Sequence, residues 1–243
     1  FSAFDSILPA DEKSRISDSV RWIAQRCGRA RELDVFLSDI VRPLTNRLPN
    51  DSALHDFGVL VESARKDAYA QVRAAIDSRE YTDTLLTLEA WIEGDTWRAA
   101  ESDHAVSVQT FARERLKRLH RKLVKNGARL DKLDEDGLHA LRLRAKKLRY
   151  TAEFFRSLFR GKATRAYLDA LTAIQDRLGS LNDGVVAREL VEAIERDNAD
   201  LDRSAYAHAV GLVLGWNACR VTVDLKRLPT VWEKFSATKP PWK

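Results

Sequence analysis

The stretch "LHALRLRAKKLRYTAEFF", residues 138–155, decides what kind of fold this chain adopts. At about 100° per residue its side chains fall into strips rather than alternating from side to side, so it reads as a helix and not as a strand. Leu141, Ala145, Leu148, Ala152 and Phe155 form a packing seam. Beside it runs a polar strip of His139, Arg142, Lys146, Arg149 and Glu153. On the far side of that strip lie Leu143, Tyr150 and Phe154, which leaves Arg144, Lys147 and Thr151 to face solvent. A cationic strip between two apolar ones is expected to point inward, where like charges repel and call for a counter-ion.

The preceding segment repeats the theme. From Phe111 to Asn126 a helix is expected with Ala112, Leu116, Leu119 and Leu123 packed, and with Arg115, Arg118, Lys122 and Lys125 as a second basic stripe. The short linker "GARLDKLDEDGL" makes the two helices antiparallel neighbours, whose stripes would form one basic trough. Asp134, Glu135 and Asp136 sit ahead of a helix expected to begin near Gly137, an ordinary placement of acids at a helix N-terminus.

Charge is concentrated in this region. Residues 111–165 hold 18 Lys and Arg against 6 Asp and Glu, so the segment carries +12 and the rest of the chain −7 within a total of +5. A basic middle flanked by acidic segments implies a local positive field and an anionic partner.

Helical spacing extends along the chain, as in Leu54, Phe57, Val61 and Ala64, or Leu168, Leu171, Ile174 and Leu178. Between Asp51 and Lys239 the only proline is Pro229. With punctuation at sites such as Arg42-Pro43, Asn126-Gly127, Gly161-Lys162 and Gly179-Ser180, the pattern predicts an all-α protein of about ten helices. At an offset of 151 residues "IAQRCGRARELDV" (23–35) pairs with "IQDRLGSLNDGVV" (174–186), aligning Ile23 with Ile174, Arg26 with Arg177 and Gly28 with Gly179. An internal repeat is therefore expected, residues 1–103 and 104–243 being its halves, with the counterpart of His139 ahead of Phe1.

Several classes of function are disfavoured. With 243 residues and 44% hydrophobic composition the chain is expected to be globular, and no apolar run approaches a membrane span. Cys27 and Cys219 lack metal or redox spacing and read as buried free thiols, a pattern suited to the cytoplasm. His55, His104, His120 and His208 stand alone, without a second metal ligand one helical turn away. Glu32, Asp34 and Asp183 read as partners of nearby arginines rather than as metal ligands. No phosphate-binding glycine loop or nucleophile elbow occurs, so no catalytic residue, metal or cofactor is assigned.

The combination of "LHALRLRAKKLRYTAEFF", "IQDRLGSLNDGVVAREL", "CGRARELDVFL" and "SREYTDTLLTLEAW" resembles the CHAD family, α-helical domains named for recurrent histidines. The resemblance is most specific at His139, Arg142, Lys146, Arg149 and Tyr150, which carry the H-x-x-R-x-x-x-K-x-x-R-Y pattern, and it extends to Arg31, Asp34, Arg79 and Tyr81. It implies a single CHAD-like domain of two pseudo-symmetric helical bundles around a basic central channel. It also implies a non-enzymatic module whose ligand is inorganic polyphosphate, located in the cytoplasm or at polyphosphate granules. Some members of the family are fused to a triphosphate-tunnel catalytic domain.

Chemistry fits that ligand. A linear polyanion without bases needs repeated cations along a track, arginine offering a planar fork and lysine a compact charge. The alternatives are an RNA-binding helical protein, disfavoured because aromatic residues do not interleave the cations, and an accessory domain of a polyphosphate hydrolase, disfavoured by the scarcity of carboxylates. A purely structural interaction module is the remaining reading.

Overall fold

A computed structural model describes residues 3–4, 8–94, 106–199 and 201–242. The described residues are helical throughout their ordered elements and include no strand, as the periodicity predicts. The helices are α1 (Ala10–Phe36), α2 (Arg42–Arg47), α3 (Ser52–Ile76), α4 (Arg79–Glu93), α5 (Val108–Gly127), α6 (Glu135–Phe154), α7 (Lys162–Asp197) and α8 (Arg203–Ala237). His104 lies outside the described residues.

Among the described residues there are eight α-helices, several of them longer than the punctuation suggested. Gly179-Ser180 lies inside the 36 residues of α7, and Pro229 lies inside the 35 residues of α8. Arg42-Pro43 does not break the chain either. A five-residue π-helical segment, Leu37–Val41, joins α1 to α2 directly ahead of Pro43, whose missing N–H and bulky ring interrupt the regular ladder. Leu37, Ile40 and Val41 in that widened turn are buried, so packing holds it. Local breakers lose to packing in all three places.

The chain divides into two compact units, one of residues 1–102 with 185–217 and the other of residues 103–184 with 218–243. The helices α7 and α8 each contribute a piece to both.

The first unit closes over Leu33, Phe36 and Ile40, packed with Leu54, Phe57 and Val61 of α3 and with Leu190, Ile194, Tyr206 and Val213. Phe36 meets Phe57 edge-on at 6.2 Å, and Tyr206 lies 5.7 Å from Phe57 while its hydroxyl donates to the Val191 carbonyl at 2.7 Å. Of the periodic residues anticipated in α3, Leu54, Phe57 and Val61 are buried and Ala64 is half-buried. By contrast α4 buries no residue, and Leu85, Leu86 and Ile92 are exposed.

The second unit is built on Leu116, Leu123, Leu141, Leu148, Leu171 and Ile174. Aromatic rings close its end: Tyr167 lies 4.7 Å from Trp242 and 5.5 Å from Phe235. The last residue of α5 is Gly127, where a Cβ would fall 2.0 Å from the Trp232 ring. Close approach, not a turn, requires that glycine.

Both cysteines are exposed free thiols, contrary to the buried placement expected of them. Their helical neighbours explain this: Ala24 and Arg31 beside Cys27, and Gly215 and Thr222 beside Cys219, are exposed too.

Candidate functional site

α6 begins two residues before Gly137. The Asp134 carboxylate accepts the Gly137 N–H at 2.8 Å as N-cap, and Glu135 and Asp136 occupy the first turn, where the helix dipole favours them. Its seam of Leu141, Ala145, Leu148, Ala152 and Phe155 is buried as the wheel requires. The other strips need correction. Thr151 is buried, its hydroxyl donating to the Lys147 carbonyl at 2.8 Å, and Lys147 is half-buried, so of the three residues expected in solvent only Arg144 is exposed. The second apolar strip is not a packing seam: Leu143, Tyr150 and Phe154 are 49%, 51% and 64% exposed. α6 packs along one side only, so the cationic strip borders the core on one flank and an exposed aromatic edge on the other.

Within that strip His139 and Lys146 are exposed, while Arg142 and Arg149 are half-buried. The Arg149 guanidinium donates to Glu153 at 3.0 Å and lies over the Tyr150 ring at 4.8 Å; the Lys146 ammonium is 5.9 Å from the same ring. Tyr150 is therefore a platform for two cations instead of a core residue, each contact contributing about 0.5–1 kcal/mol at such exposure. Among the described residues neither Arg142 nor Lys146 has an acidic partner, and the one carboxylate on the strip, Glu153, is held by Arg149.

α5 starts at Ser107, whose hydroxyl accepts the Thr110 N–H at 3.2 Å. Ala112, Leu116, Leu119 and Leu123 are buried as anticipated. Its basic stripe divides: Arg115 is only 8% exposed, next to the seam, while Arg118, Lys122 and Lys125 are exposed. The two helices are antiparallel neighbours, Phe111 at the start of α5 meeting Phe155 at the end of α6 at 6.2 Å. One helical hairpin thus carries His139, Arg142, Lys146, Arg149 and Tyr150 together with Arg115, Arg118, Lys122 and Lys125.

Arg31 and Arg79 lie in the other unit. Arg79, the first residue of α4, is exposed and sits 3.4 Å from Asp83. Arg31 is exposed on α1 and adds its charge to the surroundings of Asp34. Asp34 pairs with an arginine, as expected of it, but a remote one: Arg65 Nε donates to it at 2.6 Å and the Tyr69 hydroxyl at 2.8 Å. The Arg65 hydrogen bond, then the Tyr69 bond, hold the Asp34 carboxyl below the ordinary range against the opposing effect of burial. Glu62 completes this network, 2.9 Å from Arg65. Tyr81 is half-buried in the first turn of α4.

Sequence reasoning missed four polar contacts. Arg65 and Tyr69 reach Asp34 from a different helix, and His208 lies 2.8 Å from Asp51, the N-cap of α3. His120 is a half-buried core histidine 2.8 Å from the Tyr167 hydroxyl. Partners so far apart along the chain leave no periodic signal. Lys and Arg are also grouped at Arg156, Arg160, Lys162 and Arg165, where the absence of acids from residues 154–168 was the available clue.

This all-α chain, with a cation-rich helical hairpin, matches the family model of the CHAD domain over residues 1–192. The chain belongs to the CHAD domain family. Among solved structures it is similar to one described as "PptA from Streptomyces chartreusis", with a TM-score of 0.67 and 14% identity over 96% of this chain and 83% of that one. That likeness concerns the fold. No curated protein matches. Among the described residues no helix is long and apolar enough to cross a membrane.

Proposed function

We propose that the protein binds inorganic polyphosphate along the cationic strip of α6, with the exposed cations of α5 adding to the field, and that it does so as a binding module and not as a hydrolase. The observation that carries this reading is the strip itself. His139, Arg142, Lys146 and Arg149 recur every three or four residues over about 15 Å of one helix, with Arg142 and Lys146 lacking acidic partners among the described residues. A flexible polyanion meets repeated cations there without any need for base recognition. Membership of the CHAD family, whose resemblance implied this ligand, supports the same conclusion.

The non-catalytic part of the proposal follows from the carboxylates. Metal-assisted phosphoryl transfer needs free acids beside the phosphate track, and Glu153 is already bound to Arg149. Metal-dependent release of phosphate from polyphosphate by the purified protein would overturn it.

The finer architecture, a two-fold repeat lining a basic channel, is part of the proposal. It is supported by element boundaries: α3 starts at Ser52 and α8 at Arg203, 151 residues apart, each preceded by an aspartate that accepts N–H groups of the first turn. The continuous helical run 10–47 likewise corresponds at that offset to α7.

The test compares long-chain polyphosphate with single-stranded RNA of matched charge, using Arg142→Ala, Lys146→Ala and Arg149→Ala. Each variant should weaken polyphosphate binding about tenfold, the usual loss for one charge-assisted contact. Equal affinity for RNA, or no loss in any variant, would sink the reading.

A further inference from the structure

The corner between α6 and α7 holds an open pocket of about 560 Å³ whose lining includes no residue of the α6 strip, and Arg156, Arg160, Lys162 and Arg165 line it. Residues 154–168 contain these four cations and no acid. Among the described residues none of the four has an ion pair; Arg160 Nε instead donates to the Ser157 carbonyl at 3.2 Å.

The walls are well built. Phe159 is buried against Trp242, with ring centroids 6.2 Å apart, and the buried Thr164 hydroxyl donates to the Phe159 carbonyl. Gly161 turns the chain at φ 131°, a conformation that side-chain-bearing residues rarely adopt. The cations therefore project from a fixed corner. α7 begins at this point with no acid in its first turn, and Lys162 and Arg165 add positive charge to an end whose free N–H groups are already positive. Asp169 stands one turn beyond Arg165 on α7 without an ion pair to it, and residues 154–168 hold no acid, so the corner keeps a net positive charge whose energy a bound anion lowers.

The arrangement differs from the α6 strip in a way that selects a different shape of ligand. Along α6 the cations form a track over which a polymer can pass. Around the corner they line one pocket, and arginine forks together with a helix terminus suit neighbouring phosphoryl groups on a small molecule. We propose that this corner is a second anion site, taking a compact anion of the pyrophosphate type. It does not rest on the polyphosphate reading, and the two can fail separately.

Calorimetric titration of the whole protein with inorganic pyrophosphate tests it, with sulfate as the control anion. The Arg160→Ala/Arg165→Ala double variant should weaken pyrophosphate binding about a hundredfold, two charge-assisted contacts at about tenfold each. Arg203→Ala, which removes an exposed cation of the other unit, should leave it unchanged. Lys162→Glu, at an exposed position, should also abolish it while the circular dichroism spectrum stays as in the parent. No saturable binding overturns the proposal. So does binding that sulfate matches, or binding that survives the corner variants and is lost with the α6 variants.

Discussion

Single side chains fix much of this structure, and Gly127 is the plainest case. Its Cα lies so near Trp232 that Gly127→Ala must push the indole aside or part α5 from α8, and a loss of about 2–4 kcal/mol is expected in urea unfolding. Asp34 behaves differently because its contribution depends on pH. Its folded-state pKa is depressed, chiefly by Arg65, so the stabilisation is present above the ordinary carboxylate range and is lost as pH falls through the lower folded value. Asp51, lowered first by its bond to His208, adds an effect of the same sign. Unfolding curves measured from pH 7 down to pH 3 should therefore show falling stability, and Asp34→Asn should flatten the decline. At neutral pH that substitution should cost about 1 kcal/mol, a modest figure because the Asp34 and Arg65 side chains are 26% and 30% exposed. Cys27 and Cys219 give a further check: both should react with a thiol reagent in the native protein without denaturant.

At the scale of helices, the apolar seams were legible and the breaks were not. Leu141, Ala145 and Leu148, or Leu171, Ile174 and Leu178, announce their burial because a 3.6-residue period repeats often enough to define one face. Gly179-Ser180 and Arg42-Pro43 announce breaks that do not occur, since one weak or missing hydrogen bond is outweighed by the packing on either side. The candidate site was half legible for a related reason. Periodicity places His139, Arg142, Lys146 and Arg149 in one strip, yet it cannot say whether a neighbour covers Leu143, Tyr150 and Phe154, and these proved exposed. The same strip yields a prediction in the unusual direction. Glu153 is its one carboxylate and it occupies Arg149, so Glu153→Gln should tighten polyphosphate binding severalfold at low salt in a direct binding assay.

For the whole molecule the uneven charge matters more than the net +5, since residues 111–165 carry +12. Polyphosphate affinity should then fall steeply and linearly on a log–log plot against salt concentration, and each of Arg142→Ala and Lys146→Ala should make the slope shallower by about one released counterion. Pyrophosphate at the α6–α7 corner, with fewer contacts, should show a weaker salt dependence than the polymer.

The sharing of α7 and α8 between the two units bears on how this protein can be divided or inherited. No single cut yields either unit intact, because each draws on two separate stretches of chain. A fragment running from residue 103 to the end retains the α5–α6 hairpin but also Leu190, Ile194, Tyr206 and Val213, stripped of the α1 and α3 side chains that cover them. Such a fragment should aggregate, and a gene encoding half of this chain would give its bearer a sticky remnant instead of a working half-protein.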